Sequence, residues 1–232
     1  MCYDNSMTFW KDEISLKNYT FRLMYQTAYF TLSIIAFLAS LGLFRYDYYD
    51  NWYIHFTNLS NYFCMCMMGA ELVETVKHKE RPHNTVFPKL KYMGVIMILL
   101  TFCVFNFMLA GAEGRNPADN FAIASVLLHI VLPILFIGDW VLFYERKQVK
   151  WYDPLLSLAV PLIYVGYILI RAPFVTLDPT NKDIMKYPYF FLNVDEIGWG
   201  GLAKWVGILM IGFVAVGYLL VGLDRLPKKK IG

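Results

Sequence analysis

MGVIMILLTFCVFNFMLAGA, residues 93–112, contains no charged side chain and is long enough to cross a lipid bilayer as a helix. A spanning helix needs about 20 mostly apolar residues, because that length matches the hydrocarbon thickness. Of the 232 residues of the chain, 58% are hydrophobic and 17% are charged. A soluble domain of this size cannot bury so much apolar surface in one core. The sequence therefore predicts an all-α, polytopic membrane protein.

Five further segments on either side of this stretch have a similar length and apolar character. The six predicted spans are residues 23–44, 53–73, 93–112, 121–144, 154–171 and 205–223, which form a six-transmembrane helix bundle and a single membrane domain over 1–232. The second segment is the most polar, so a surface loop is the alternative reading for it. Because an apolar run and a basic stop follow its polar half, we interpret it as a span whose polar face points into the bundle.

The distribution of basic residues predicts the orientation. Fifteen of the 21 Lys and Arg residues lie in the N-terminal segment, in the loops after the second and fourth spans, and in the C-terminal tail. Loops on the cytoplasmic side of a membrane are enriched in Lys and Arg. We therefore predict that both termini are cytoplasmic and that the protein is a multi-pass protein of the cell membrane.

Several polar residues within the predicted spans share helical faces. Burying an unpaired polar side chain in hydrocarbon costs several kcal/mol, so such residues point into the bundle and are candidates for function. They are Thr57, Asn58, Ser60 and Asn61 in the second span, Ser125 and His129 in the fourth, and Tyr164, Tyr167 and Arg171 in the fifth. In the predicted topology, Thr57 lies about 6 Å and His129 about 12 Å below the outer ends of their spans. Thr57, Asn61, His129 and Arg171 are thus expected to line one outward-facing cavity, with Tyr164 and Tyr167 on its wall.

Two interpretations of this cavity remain open. Thr57 and His129 would suit a nucleophile and its general base, with Asn58, Ser60 or Asn61 donating to the oxyanion. A threonine in a membrane helix, however, commonly bonds its own i−4 carbonyl, and a lone histidine often links helices. Arg171 would either bind a substrate carboxylate or phosphate or pair with a loop acid such as Asp195.

Other features of the sequence carry less information. Glu71 and Asp139, near the cytoplasmic ends of their spans, are either paired interface residues or a proton or ion site. The aromatic stretch 186–201 is either a lid over the cavity or a structural cap at the headgroups. The four cysteines lack metal-ligand spacing, and no nucleotide-binding or zinc-protease motif occurs, so no metal and no cofactor are predicted.

Linked motifs give the chain a family resemblance. SVLLHIVLPILFIGDW (125–140), WYDPL (151–155), VPLIYVGYILIR (160–171) and YPYFFLNV (187–194), together with FTNLSN (56–61), resemble the bacterial Pr-six-Pr family of six-span membrane proteins. The resemblance covers about residues 20–226 and implies a six-span fold, but it implies no activity.

Two shorter motifs also resemble the androgen-induced-gene and androgen-dependent TFPI-regulating protein family. Members of that family are membrane threonine hydrolases that cleave fatty acid esters of hydroxy fatty acids. WYIHFT ends on Thr57 and HIVLP begins on His129. The resemblance implies that Thr57 is the nucleophile, that His129 is its base and that the substrate is a fatty-acyl ester.

Three functional hypotheses from different classes follow. The first is an intramembrane hydrolase or acyl-transfer enzyme acting on lipid esters. The second is a small-molecule transporter, although inverted repeats and paired broken helices are not evident. The third is a non-enzymatic membrane protein that binds a lipid or another ligand. The predicted partners are membrane lipids, including a lipid ester substrate if the protein is an enzyme, and not nucleic acid.

Overall fold

The computed structural model describes residues 5–44, 51–79, 85–111, 117–177 and 184–226, and all the regular secondary structure in these ranges is helical. The helices are α1 (Asn5–Ser40), α2 (Phe56–Lys77), α3 (Pro88–Val104), α4 (Ile123–Val126), α5 (Leu132–Phe143), α6 (Asp153–Ser157), α7 (Ala159–Arg171) and α8 (Val194–Arg225). The predicted all-α class is confirmed for these residues.

Shorter turns extend or join the helices. A first π turn, Phe105–Leu109, continues α3, and a second π turn, Leu127–Val131, joins α4 to α5. Three short 3-10 turns are Pro117–Phe121, Ala172–Phe174 and Phe190–Leu192. π turns interrupt the regular hydrogen-bond ladder of a helix and are common at functional sites, so both turns mark candidate functional positions.

Five helical segments among the described residues are long and apolar enough to cross a membrane. They are Asn18–Ser40, Pro88–Leu109, Ile123–Phe143, Asp153–Phe174 and Val194–Arg225. Their outward surface is apolar: on α7, for example, Ile163 and Ile170 are each 71% exposed and lie two turns apart on one face. This arrangement suits a multi-pass protein whose surface contacts lipid.

The second predicted span corresponds to α2, which is 22 residues long but too polar to be counted with the five by composition. It packs against both α1 and α3. Its polar side chains are buried there, including Asn61 at 2% exposure and Ser60 at 0%. The polar face of α2 therefore lies inside the bundle.

The last helix begins eleven residues earlier than the span predicted over 205–223, at Val194. Its first turn is separated from the rest by Gly198, whose φ of 65° and ψ of 171° are not helical. This positive φ strains any residue with a Cβ, whereas glycine adopts it readily. The chain therefore bends where it leaves the segment between α7 and α8.

Buried ion pairs occupy one end of the bundle, which we call the ion-paired end, defined by Arg22, Glu71, Lys91 and Asp139. Arg22 Nη2 lies 3.0 Å from Glu71 Oε2, and the Lys91 ammonium pairs with the Asp139 carboxylate. Glu71, Lys91 and Asp139 are at most 2% exposed. Glu71 and Asp139 are thus paired with basic residues, which agrees with the first of the two interpretations of the sequence. The pairs lie inside the bundle and not at its rim.

Apolar packing forms two clusters. The larger joins α1, α2, α3, α5 and α8 around buried side chains such as Tyr29, Met68 and Phe136. The smaller lies near the opposite end, where Phe191 and Leu192 from the α7–α8 connection pack against Tyr164 and Ile168 of α7. The connection is therefore held against the bundle by its own aromatic and aliphatic side chains.

Candidate functional site

A partly open cavity lies beside the smaller cluster, and the empty space of about 580 Å³ around it includes the open solvent at its mouth. Its walls come from the start of α2, the end of α3 with the first π turn, α7, α8 and the segment 189–192. We call residues 185–193 the lid segment. Tyr189, Phe191 and Leu192 of this segment line the cavity, so the segment forms one of its walls.

Four hydroxyl groups supply the polar chemistry of the cavity wall: those of Thr57, Thr101, Tyr164 and Tyr189. The other lining side chains in the described part of the chain are apolar, and none of them is charged. Small-molecule sites commonly have such a composition, with a few polar groups in an apolar surface. A cavity of this kind favours an apolar molecule over an ion.

Three of these hydroxyls form one cluster that joins the lid segment to α2 and α7. The side chains of Thr57 and Tyr164 both hydrogen-bond the Tyr189 phenol. Tyr164 Oη also donates to the carbonyl oxygen of Ile54 at 2.8 Å. Burial raises the pKa of Tyr189, and the hydrogen bonds from Thr57 partly offset that rise. The cluster thus fastens the lid segment through uncharged hydroxyls.

Thr101, on α3, is the exception among the four. It is 4% exposed, and its Oγ1 has no hydrogen-bond partner among the described residues. A threonine within a membrane helix usually satisfies its hydroxyl on its own helix. The Thr101 Oγ1 atom is itself buried, so this hydroxyl lies behind the cavity surface and is not presented to the cavity.

His129 lies next to the cavity without lining it. Its ring stacks on Phe105, a lining residue, with centroids 3.5 Å apart and planes 10° apart. Its Nδ1 lies 2.9 Å from the carbonyl oxygen of Ser125, which can only accept a hydrogen bond. The Nδ1 atom therefore carries a proton, which it donates to this carbonyl oxygen of its own helix.

The amides and the serine predicted as oxyanion donors bond backbone carbonyls instead of lining the cavity. Asn58 Nδ2 donates to the carbonyl oxygen of Trp52 at 2.8 Å, and Ser60 Oγ to that of Phe56 at 2.7 Å. Both bonds lie within the start of α2 and the turn before it. Their physical reason is local, because the two donors reach carbonyl oxygens only six and four residues earlier in the chain.

Asn61 and Asn106 satisfy carbonyls in and around the second π turn. Leu132 N–H donates to Leu127 O, and Pro133 has no N–H, so Leu128 O and His129 O lose their usual donors. Asn61 Nδ2 lies 3.0 Å from Leu128 O, and Asn106 Nδ2 lies 3.3 Å from His129 O. The two amides therefore link α2 and α3 to the π turn that carries His129.

Arg171 and Tyr167 also differ from the expected arrangement. Arg171 Nη1 donates to the carbonyl oxygens of Met185 and Lys186, at 3.1 and 3.3 Å, and neither it nor Tyr167 lines the cavity. Asp195, suggested as a partner for Arg171, pairs with Lys186. Arg171 therefore tethers the lid segment through its backbone, because the lid carbonyls turn toward the end of α7.

Two lining hydroxyls, Thr101 and Tyr189, were missed in the sequence. Thr101 stands alone in an apolar run, and Tyr189 lies in a connection whose path the sequence does not define. A single hydroxyl in a long apolar segment is the signal that could have pointed to Thr101. No protein-family model, curated protein or solved structure matches the chain.

Proposed function

We propose that this protein is a six-span membrane protein, with both termini in the cytoplasm, that binds an apolar molecule in the cavity beneath its lid segment. The observation that carries the binding proposal is the cavity wall, which combines apolar side chains with four hydroxyls and, among the described residues, no charge. Such a wall makes an apolar occupant drawn from the surrounding lipid more favourable than an ionic one.

The proposed sixth span is α2. Its length of 22 residues suffices to cross the hydrocarbon region, and its polar side chains are buried against α1 and α3. The asymmetry of Lys and Arg in the loops supports the orientation.

Reporter fusions test this topology. A reporter after Gly232 or near Asn84 should report the cytoplasm, and one near Asn116 or Asn181 the exterior. An exterior signal at Asn84 would show that α2 does not cross the membrane.

Cavity filling tests the binding proposal. The protein in lipid nanodiscs would be photolabelled with a diazirine derivative of hexadecane, and the labelled peptides located by mass spectrometry. Leu209→Trp places a large side chain in the cavity wall and should abolish labelling of cavity peptides. Ile211→Trp is the matched control, because Ile211 lies two residues away on the same helix and is 72% exposed on the outer surface. Equal labelling of wild-type protein and the Leu209→Trp variant would contradict a binding cavity.

A second candidate function is ester hydrolysis, which is favoured by the position of Thr57 in the cavity wall and by the stacking of His129 on the lining residue Phe105. In this scheme Thr57 Oγ1 attacks the ester carbonyl, His129 takes the hydroxyl proton and gives it to the departing alcohol, and water then cleaves the acyl-threonine. This scheme requires the substrate to bring the reacting groups together at the cavity wall.

The hydrolase candidate is tested with a fluorophosphonate probe and fatty-acyl esters. Thr57→Ala and His129→Ala should each abolish turnover, and each alone should cost nearly as much as both together. Thr57→Ser should retain activity, since it keeps the hydroxyl. Full turnover in both alanine variants would remove this candidate and leave the binding proposal standing.

A further inference from the structure

Two segments long enough to cross a membrane begin side by side at one corner of the bundle. They are Pro88–Leu109 and Asp153–Phe174, and Lys89 Nζ at the start of the first lies 3.4 Å from Asp153 Oδ1 at the start of the second. Lys150 shortly precedes Asp153, and we propose that Lys89 and Lys150 together bind the head group of an anionic phospholipid. The inference rests on the membrane placement in the proposed function but not on the cavity, which neither lysine lines.

The ring of Tyr152 brings the two ammonium groups to one place. Lys89 Nζ lies 5.8 Å and Lys150 Nζ 5.6 Å from the centroid of this ring, and both distances are within the range of a cation–π contact. Both lysines are exposed, Lys89 with 53% of its side chain. A head-group phosphate that approaches this ring therefore meets two positive charges instead of one.

The Asp153 carboxylate does not cancel both positive charges. It is 5% exposed, its Oδ1 faces Lys89, and its Oδ2 accepts the backbone N–H of Lys150 at 2.7 Å. The loop before it, residues 145–150, holds three basic side chains and one acidic side chain. This corner therefore carries an excess of positive charge, which attracts anionic lipids more strongly than zwitterionic ones.

Apolar groups beside the lysines match the rest of a phospholipid. Trp151 is 63% exposed, and its ring lies 5.8 Å from that of Tyr152. Leu156, on α6, is 64% exposed. Indole rings favour the head-group region of a bilayer, and an exposed leucine within a span contacts acyl chains. The corner thus offers a group for the phosphate, one for the region below it and one for the chains.

Quenching of Trp151 fluorescence tests the site in the full-length protein. The protein would be placed in phosphatidylcholine nanodiscs that contain a small fraction of phosphatidylglycerol or phosphatidylcholine with brominated acyl chains, because bromine quenches an indole that it contacts. The emission of Trp151 is the difference between the wild type and Trp151→Phe. The mole fraction that gives half-maximal quenching should be roughly three- to tenfold lower for phosphatidylglycerol, the range expected for two lysines that are partly screened by water.

Charge variants locate this preference. Lys89→Gln combined with Lys150→Gln should remove it, and the comparison of two lipids cancels any change in the amount of folded protein. The matched control is Lys77→Gln combined with Lys79→Gln, which removes two exposed lysines on the same predicted side of the membrane and should retain the preference. Equal loss in both double variants would show that general surface charge attracts the lipid, and the proposed site would be wrong.

The other outcomes are equally decisive. If both brominated lipids quench wild-type Trp151 equally, the corner does not select an anionic head group and the inference is wrong. If inorganic phosphate in the buffer abolishes the preference while chloride at the same ionic strength does not, the corner binds free phosphate and the inference is likewise wrong. If neither lipid quenches Trp151, the proposed placement of this segment at the membrane surface fails and the inference fails with it, whereas photolabelling of the cavity tests the cavity separately.

Discussion

At the ion-paired end of the bundle, two buried pairs of oppositely charged side chains link the helices, whereas the polar side chains around the cavity are hydroxyls and amides. Arg22 pairs with Glu71 and Lys91 with Asp139 at one end, and Thr57, Tyr164 and Tyr189 share hydrogen bonds at the other. The charged pairs hold helices together but provide no apolar space. The uncharged groups leave such a space beside them. The two ends should therefore respond differently to substitution.

The largest effect is expected at the ion-paired end. Asp139→Ala leaves the Lys91 ammonium buried without its counter-charge and should destabilise the protein by about 3–5 kcal/mol. The midpoint of thermal unfolding in detergent measures this loss. Hexadecane photolabelling of the cavity, carried out below that midpoint, should be unchanged.

The control for this substitution removes both charges together. Lys91→Met with Asp139→Leu should recover much of the lost stability, because no unpaired charge remains. If Asp139→Ala is as stable as the wild type, or if it abolishes cavity labelling while the protein is folded, the two ends do not differ in the way described.

A smaller effect is expected where the amides meet the second π turn. Asn106→Ala removes the donor to His129 O and should cost about 1–3 kcal/mol. In a Pro133→Ala background the same substitution should cost less, since the backbone N–H restored at position 133 can bond that carbonyl. Thermal unfolding of the wild-type protein, the two single variants and the double variant gives the coupling energy between positions 106 and 133.

Asn58→Ala is the matched control for this comparison of the wild-type and Pro133→Ala backgrounds. Asn58 donates to Trp52 O, away from Pro133, so its substitution should cost the same in both backgrounds. Equal costs for Asn106→Ala in the two backgrounds would contradict the role assigned to Pro133.

These particular residues show why the sequence predicted some features and not others. Crossing a bilayer requires long apolar runs, so the helical class and five segments long and apolar enough to cross a membrane could be predicted from composition. The spacing of Thr57 and Tyr164 indicated faces turned into the bundle, and both side chains line the cavity. The HIVLP motif was quoted for its family resemblance. Its structural effect is that Pro133, which has no N–H, leaves a backbone carbonyl oxygen that accepts a hydrogen bond from Asn106.

Other features depend on tertiary structure and could not be predicted locally. Asn61 bonds the carbonyl oxygen of Leu128, 67 residues away, which only the folded chain brings within reach. The path of the lid segment depends on Phe191 and Leu192 finding the smaller cluster, so Tyr189 could not be assigned to the cavity. The early start of α8 depends on the bend at Gly198, which interrupts the helical pattern.

The next smaller effect on stability, after that of Asn106→Ala, is expected for the hydroxyl cluster that fastens the lid segment. Tyr189→Phe removes the phenol that Thr57 and Tyr164 bond and should cost about 0.5–1.5 kcal/mol. The pKa of Tyr189 is raised above its ordinary value of 10.0 in the folded protein. Above about pH 10 the unfolded chain therefore loses this proton more readily than the folded one, and stability falls as the pH rises.

The variant isolates this contribution from that of the other tyrosines. Below about pH 10 the difference in unfolding midpoint between wild-type protein and Tyr189→Phe should be constant, and above it the difference should narrow. A difference that widens with rising pH would show that the phenol is ionised more easily in the folded state, contrary to its burial.

The smallest effect is expected for the charged contact on the outside of the lid segment. Lys186 pairs with Asp195, but both side chains are partly exposed, at 31% and 53%, so water and salt weaken their attraction. Lys186→Ala should therefore change the unfolding midpoint less than Tyr189→Phe does, and any change should vanish at high salt. Lys204→Ala is the control for the loss of one exposed lysine near this end. A Lys186→Ala effect larger than that of Tyr189→Phe, and sensitive to salt, would mean that charge rather than the buried hydroxyls fastens the lid segment. The contrast between the two ends of the bundle would then have to be abandoned.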